Sequence, residues 1–103
     1  MEYILITSAY NEEKYIQKTI ESVINQKTLP LQWIIINDNS TDNTESIIQK
    51  YIEIPFITYI HYQNHENYIS DLGKVSKRVV SCVNEALRHI KYTNYDCIGI
   101  LDA

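Results

Sequence analysis

Trp33-Ile34-Ile35-Ile36-Asn37-Asp38-Asn39-Ser40-Thr41-Asp42-Asn43-Thr44 decides how the rest of the chain is read. An apolar, β-branched run stops abruptly at a string of Asn, Asp, Ser and Thr. Residues 33–36 are too few for a helix and are predicted to form a buried strand, with 37–40 as its polar exit. Ser40 or Thr41 stands where a helix would be capped, and that helix is expected to reach about Tyr51. Its inner face would carry Ile47, Ile48 and Tyr51. The strand is apolar throughout instead of alternating, as expected of a strand covered on both faces in a parallel sheet.

The alternation of strand and helix continues in both directions, without an internal sequence repeat. Upstream, Tyr3-Ile4-Leu5-Ile6-Thr7 predicts a strand, and Ser8-Ala9-Tyr10-Asn11-Glu12 breaks it. From Glu13 to Gln26 the apolar residues Ile16, Ile20, Val23 and Ile24 mark one helical face. Asn11 or Glu12 is expected to cap that helix, where an acid suits the helix dipole. Leu29-Pro30 ends it. Downstream, Pro55 precedes a third strand, Phe56-Ile57-Thr58-Tyr59-Ile60. Residues 63–72 read as the longest irregular stretch. A helix from about Lys74 to His89 follows, with Val75, Val79, Val83, Ala86 and Leu87 in period, and then a fourth strand, Cys97-Ile98-Gly99-Ile100-Leu101. Strands alternating with helices imply α/β architecture, a parallel sheet with right-handed crossovers.

Composition removes several alternatives. The chain has 103 residues, 45% of them hydrophobic, which suits one domain with one core. A net charge of −4 with no basic run argues against a nucleic-acid partner. Apolar stretches of about five residues fall far short of the roughly 20 needed to span a membrane. The N-terminus lacks the pattern of a secretory signal. Cys82 and Cys97 have no metal-ligand spacing and are expected to be structural thiols in apolar surroundings. His61, His65 and His89 likewise lack ligand spacing and are expected at the surface. With only two glycines, the chain has neither a dinucleotide-binding glycine turn nor a triphosphate-binding loop.

In an open parallel sheet, ligands bind beyond the carboxyl ends of the strands. Those ends carry Ser8, Tyr10, Asn11 and Glu12 after the first strand, Asn37, Asp38, Asn39 and Ser40 after the second, and Asp102 after the fourth. Loops of Asn, Asp and Ser also make good turns, so polarity alone leaves a binding site and plain loop chemistry both open.

The motifs taken together go further. Ser8-Ala9-Tyr10-Asn11-Glu12-Glu13 resembles the P-x-Y-N-E opening of family 2 glycosyltransferases, and Ser22-Val23-Ile24-Asn25-Gln26 resembles that family's S-[IVL]-x-x-Q element. Asn37 to Thr44 is similar to its D-D-x-S-x-D-x-T loop, and Tyr95 to Ala103 to the strand leading into its D-x-D motif. The resemblance spans essentially the whole chain and is weakest over residues 53–72. The chain departs from the pattern where Ser8 replaces a frequent Pro, where Asn37 replaces the first acid of D-D-x-S, and where it stops at Ala103, before the second acid of D-x-D.

The resemblance implies a GT-A fold, a three-layer α/β/α arrangement with a mostly parallel sheet in the order 3-2-1-4. Residues 1–103 would be the N-terminal nucleotide-binding portion, without transfer activity by itself. The implied reaction is inverting transfer from a nucleotide sugar, with UDP-sugar as the expected donor and a saccharide or lipid as acceptor, in the setting of cell-envelope polysaccharide synthesis. Tyr10 would stack on the base, Asp38 would accept the N3–H of uracil, and Ser8 would line the pocket. Asp102 would lie near the diphosphate and serve as the metal residue for a divalent ion, Mn²⁺ or Mg²⁺. Asn11 and Glu12 are placed either to touch the nucleotide or to brace the loop. Lys74 and Arg78, at i and i+4, either reach a diphosphate or form a solvated face. The expected location is the cytoplasm, with membrane attachment of a longer parent left open. Self-association through an exposed edge strand is also expected.

Two other classes compete. A non-enzymatic nucleotide-binding or receiver-like module would want a phosphorylatable Asp after the third strand, where this chain has His61-Tyr62-Gln63-Asn64. A sugar nucleotidyltransferase would want a glycine-rich loop after the first strand, where Ser-Ala-Tyr-Asn-Glu stands instead.

Overall fold

A computed structural model describes residues 1–62 and 74–103, with the backbone alone for 74–79. The elements follow in the order β1 (Tyr3–Ala9), α1 (Ile16–Ile24), β2 (Gln32–Asp38), α2 (Thr44–Gln49), β3 (Ile57–Tyr62), α3 (Lys74–Leu87) and β4 (Cys97–Ile100). They form a four-stranded sheet in the order β3-β2-β1-β4. Every pairing is parallel, as the strand–helix alternation requires.

The sheet divides two apolar layers. On one face Ala9, Trp33, Ile35 and Ile57 pack with Ile16, Ile20 and Val23 of α1 and Ile48 of α2. On the other, Ile6 and Ile34 meet Ala86 of α3, with Ile60, Val83 and Ile90 around them. Strand alternation assigns the remaining strand positions to one face or the other. Every residue of β2 is buried, because β2 is paired on both edges and covered on both faces. Burying an Ile side chain fully contributes about 1.5–3 kcal/mol, so this strand carries a large share of the stability.

Two buried polar side chains fit this core because both are satisfied. Trp33 Nε1 donates to Thr7 Oγ1 at 2.9 Å inside the α1/α2 layer. Gln32 Nε2 donates to Thr58 Oγ1 and to the His89 carbonyl, while its Oε1 accepts the Lys91 N–H, each at 2.9 Å. Gln32 therefore fastens the segment after α3 to the foot of the sheet.

The element boundaries differ from those read in the sequence. β1 and β2 each run two residues further, through Ser8-Ala9 and Asn37-Asp38. Backbone pairing does not stop where side chains turn polar, and Ala9 is still in register with Asn37. The helix starts also move. α1 begins at Ile16, after a turn in which the Glu12 carbonyl accepts the N–H groups of Tyr15 and Ile16. α2 begins at Thr44, and neither helix has a side-chain hydrogen bond from its capping residue. Asn11, Ser40 and Thr41 are therefore not caps; they bond to one another across the loops. Cys82 is buried as expected, but Cys97 is exposed, because it opens the edge strand β4. His61 and His89 are exposed, and His65 lies outside the described residues.

Candidate functional site at the carboxyl ends of β1 and β2

Two loops leave the sheet side by side, 10–15 after β1 and 39–43 after β2. Each turns through a left-handed residue, Asn11 (φ 53°) and Asn39 (φ 51°). Asn tolerates this conformation better than other residues with a side chain, so it does here what glycine does in glycine-rich phosphate loops.

The loops are stitched to each other by side chains. Asn11 N–H donates to Ser40 Oγ at 3.0 Å, and Thr41 N–H donates back to Asn11 Oδ1 at 2.8 Å. Glu12 N–H donates to the buried Thr44 Oγ1 at 2.8 Å. Asp42 accepts the Glu13 N–H at 3.3 Å through one oxygen and the Thr44 N–H at 2.9 Å and hydroxyl through the other. Glu13 Oε1 in turn accepts the Asn43 N–H at 3.2 Å. Desolvation pushes the Asp42 carboxyl upward. The bonds from Thr44 and from the N–H groups of Glu13 and of Asp42 itself outweigh that, and its pKa is lowered. One step inward, Asn37 accepts the Ser40 N–H at 3.2 Å and donates to the Tyr59 hydroxyl at 3.1 Å. Burial raises the Tyr59 phenol pKa, with the Asn37 bond opposing and Glu45 adding to it.

This frame sets out the residues singled out in the sequence. Asp38 ends β2 at 4% exposure, on the α3 face that it shares with Ile34 and Ile36. Tyr10 follows β1 at the same level, with its side chain 44% exposed. Ser8 is half-buried on β1, on the α3 face. Asn11 faces the neighbouring loop through both its backbone and its amide, and Glu12 joins it through its backbone N–H. On the other side of β1, Leu101 N–H donates to the Ile6 carbonyl at 2.9 Å. That bond carries the β4 register one step further and brings the exposed Asp102 level with Ser8. The sheet thus gathers Ser8, Tyr10, Asp38 and Asp102 along one edge. The side chains of Lys74 and Arg78 lie outside the described residues, although the backbone places both in the first turns of α3.

Sequence reasoning overlooked Tyr62. It is the register partner of Asp38 on β3, and its hydroxyl lies 2.7 Å from Ser81 Oγ on α3. The signal that would have found it is pairing register, which a single strand does not display. Among the described residues no three His, Cys, Asp or Glu side chains are grouped to hold a metal ion. No helix among them is long and apolar enough to cross a membrane.

Residues 4–103 match the family model for glycosyl transferase family 2. The chain is 33% identical over 98 residues to poly-beta-1,6-N-acetyl-D-glucosamine synthase of Staphylococcus epidermidis, covering 95% of this chain and 20% of that protein. It is 35% identical over 80 residues to chondroitin synthase of Escherichia coli, covering 78% of this chain and 10% of that one. The chain therefore spans a fifth or less of the length of these relatives. Among solved structures, Staphylococcus aureus TarS 1-349 in complex with UDP-GlcNAc superposes with a TM-score of 0.68 at 23% identity, over 99% of this chain and 26% of that one. A mannosyltransferase from Pyrobaculum calidifontis in complex with GDP-Man and Mn²⁺ gives 0.64 at 21% identity, over 86% and 24%. At these identities the structural likeness establishes the fold alone.

Proposed function

The chain belongs to glycosyl transferase family 2, and from that premise we propose that it forms the donor-binding portion of an inverting glycosyltransferase that takes a UDP-sugar. The observation that carries this reading is the pair Tyr10 and Asp38, level with each other at the carboxyl ends of adjacent parallel strands. Tyr10 is partly exposed and Asp38 nearly buried, and the loops that follow them are hydrogen-bonded to each other. Uracil presents one N–H between two carbonyls. A carboxylate at Asp38 accepts that N–H, and the Tyr10 ring offers a stacking face worth about 1–3 kcal/mol. Nucleotide sugars occupy solved structures of the same fold, UDP-GlcNAc in TarS and GDP-Man in the mannosyltransferase, which supports a nucleotide-sugar donor; uridine is proposed from the Asp38 chemistry.

Ser8 and Asp102 flank the path from the base toward the diphosphate. Asp102 supplies one hard oxygen ligand, and no cluster of three acidic or imidazole groups stands beside it among the described residues. That donor set fits Mg²⁺ or Mn²⁺ arriving with the diphosphate, since such ions are held by one or two carboxylates plus substrate phosphates. When bound, the ion neutralises charge on the departing nucleoside diphosphate. Lys74 and Arg78 sit near the start of α3 and suit the same phosphates. The sugar passes to a saccharide or lipid hydroxyl with inversion, and no residue of this chain is assigned as the base. Relatives named as polysaccharide synthases favour polysaccharide synthesis as the setting, and the location proposed for this portion is the cytoplasm.

The test is a titration of uridine and cytidine diphosphates against wild type, Asp38→Ala and Asp38→Asn, with a melting curve for each protein. Cytosine lacks the N3–H, so wild type is expected to prefer uridine. Removing a hydrogen bond to a charged group costs roughly 1.5–3 kcal/mol, so Asp38→Ala should bind uridine diphosphate about tenfold to a hundredfold more weakly. Asp38→Asn should lose less, since a flipped amide still accepts. Equal binding of both nucleotides by wild type, or unchanged binding without Asp38, would sink the assignment.

A further inference from the structure

We propose that Tyr62 is a specificity-determining wall of the base pocket, selecting a pyrimidine over a purine. The inference rests on Asp38 as the base-contacting residue and deepens that reading. Register places Asp38 opposite Tyr62 on β3. On the other side Ala9 is opposite Asn37, so Tyr10 emerges from β1 at the level of Asp38. Tyr10, Asp38 and Tyr62 therefore form one line across three neighbouring strands spaced about 4.8 Å apart.

Asp38 and Tyr62 also project to the same side. Asp38 shares the face of Ile34, and Tyr62 the face of Ile60; Ile34 and Ile60 pack together with Ala86 of α3. The Tyr62 ring is fixed at both ends, by β3 at its Cα and by Ser81 Oγ at its hydroxyl, 2.7 Å away. A surface tyrosine without such a tether swings aside for a larger ligand, whereas this one holds a set width beside Asp38. In this proposal the tethered ring leaves room beside Asp38 for a single-ring base, and a two-ring base would need the tether to break.

The fold itself does not make this choice. Of two solved structures with the same backbone arrangement, one carries UDP-GlcNAc and the other GDP-Man. Base selection is then a matter of side chains, and within this chain Tyr62 is the register partner of Asp38, the proposed base contact.

The experiment titrates UDP and GDP against wild type, Tyr62→Ala, Tyr62→Phe, Ser81→Ala and Asp38→Ala, with a melting curve for each. Wild type is expected to prefer UDP. Tyr62→Ala should bind UDP about tenfold more weakly, as loss of a ring against the base implies, and should hold or gain affinity for GDP. Tyr62→Phe and Ser81→Ala keep the ring and release the tether. Both should lower the UDP-to-GDP ratio by about threefold, the scale of one neutral hydrogen bond. An unchanged ratio in a folded Tyr62→Ala, while Asp38→Ala still abolishes the uridine preference, overturns the wall and leaves the Asp38 reading standing. A lowered melting temperature with the ratio intact is the mark of a purely structural tyrosine and overturns it equally. If Tyr62→Ala does not fold, a wild-type ratio in both tether variants decides against the proposal. A wild type with no preference, indifferent to Asp38→Ala, removes both readings.

Discussion

β2 and β4 are both short, largely apolar strands paired with β1, yet they are built for different tasks. β2 is buried at every position and carries Asp38 at its end, whereas β4 is exposed at Cys97, Ile98 and Ile100. β2 has partners on both edges and helices on both faces, while β4 lies at the end of the strand order. Apolar sequence alone does not say where stability resides; position in the sheet decides. The buried centre holds the candidate base site, and Asp102, proposed for the diphosphate side, follows an outer strand that is largely exposed.

The largest expected effect tests the centre. Trp33→Ala removes a fully buried side chain and the donor to Thr7, whose hydroxyl is also fully buried. Large-to-small changes of this kind cost about 3–5 kcal/mol, a large fraction of the roughly 5–15 kcal/mol that holds a domain together. Denaturant melts should show a mostly unfolded chain. Ile100→Ala on β4 should stay within about 0.5 kcal/mol of wild type, as an exposed position. Comparable losses at the two sites would break the contrast.

The loop clamp comes next. Asp42 holds the N–H groups of Glu13 and Thr44, so Asp42→Asn presents an NH₂ to one of those donors. The loss should be about 1 kcal/mol, similar to removing a helix-capping acceptor, or a fall in Tm of about 4–8 °C. The sign of the pH dependence follows from its lowered pKa. The folded state favours the ionised form, so the Asp42 contribution is fully present above the unfolded value, near 3.8. It declines as pH falls through the lower folded value. Acid melts of wild type and Asp42→Asn should therefore converge at the acid end, and a constant gap down to the lowest pH would show that the charge is not what clamps the loops.

Much of this was legible in the sequence. Strand and helix order, the parallel sheet and the gathering of polar residues at one edge all follow from apolar runs ending in Asn, Asp and Ser. The true ends of β1 and β2 were not, because Ser8, Asn37 and Asp38 join the ladder through their backbones whatever their side chains. The caps assigned to Asn11, Ser40 and Thr41 were misplaced for a different reason. Those side chains bond to residues about 30 positions away, as in the Thr41–Asn11 contact, and no local pattern reveals a partner at that distance. Tyr62 was invisible for the same reason, since its importance comes from register across three strands.

A smaller effect concerns association, not stability. Ile98 and Ile100 lie on the same face of a strand whose outer edge has no neighbour among the described residues. Such an edge invites pairing with another chain, and a lysine on it discourages that. Sedimentation of wild type should show concentration-dependent association, and Ile100→Lys should abolish it while leaving the melting curve nearly unchanged. A wild type that stays monomeric at high concentration would mean that β4 is better protected than its exposure suggests.

The smallest expected effect lies beside it, at Gly99. Its φ is not in the left-handed region, so glycine is not required by the backbone. It is in register with Leu5, and an added Cβ would meet Leu5 Cδ1 at 3.4 Å, an ordinary contact with the end of a flexible side chain. Glycine within a strand costs about 0.5–1 kcal/mol relative to alanine through the freedom it loses on folding. Gly99→Ala should therefore leave stability unchanged or raise it by up to about 0.5 kcal/mol, with slower hydrogen exchange at Leu101, whose N–H bonds to Ile6. The opposite result carries equal information. A clear loss of stability would show that Leu5 cannot yield and that β4 is packed against β1 as tightly as β2 is, which would erase the difference between centre and edge.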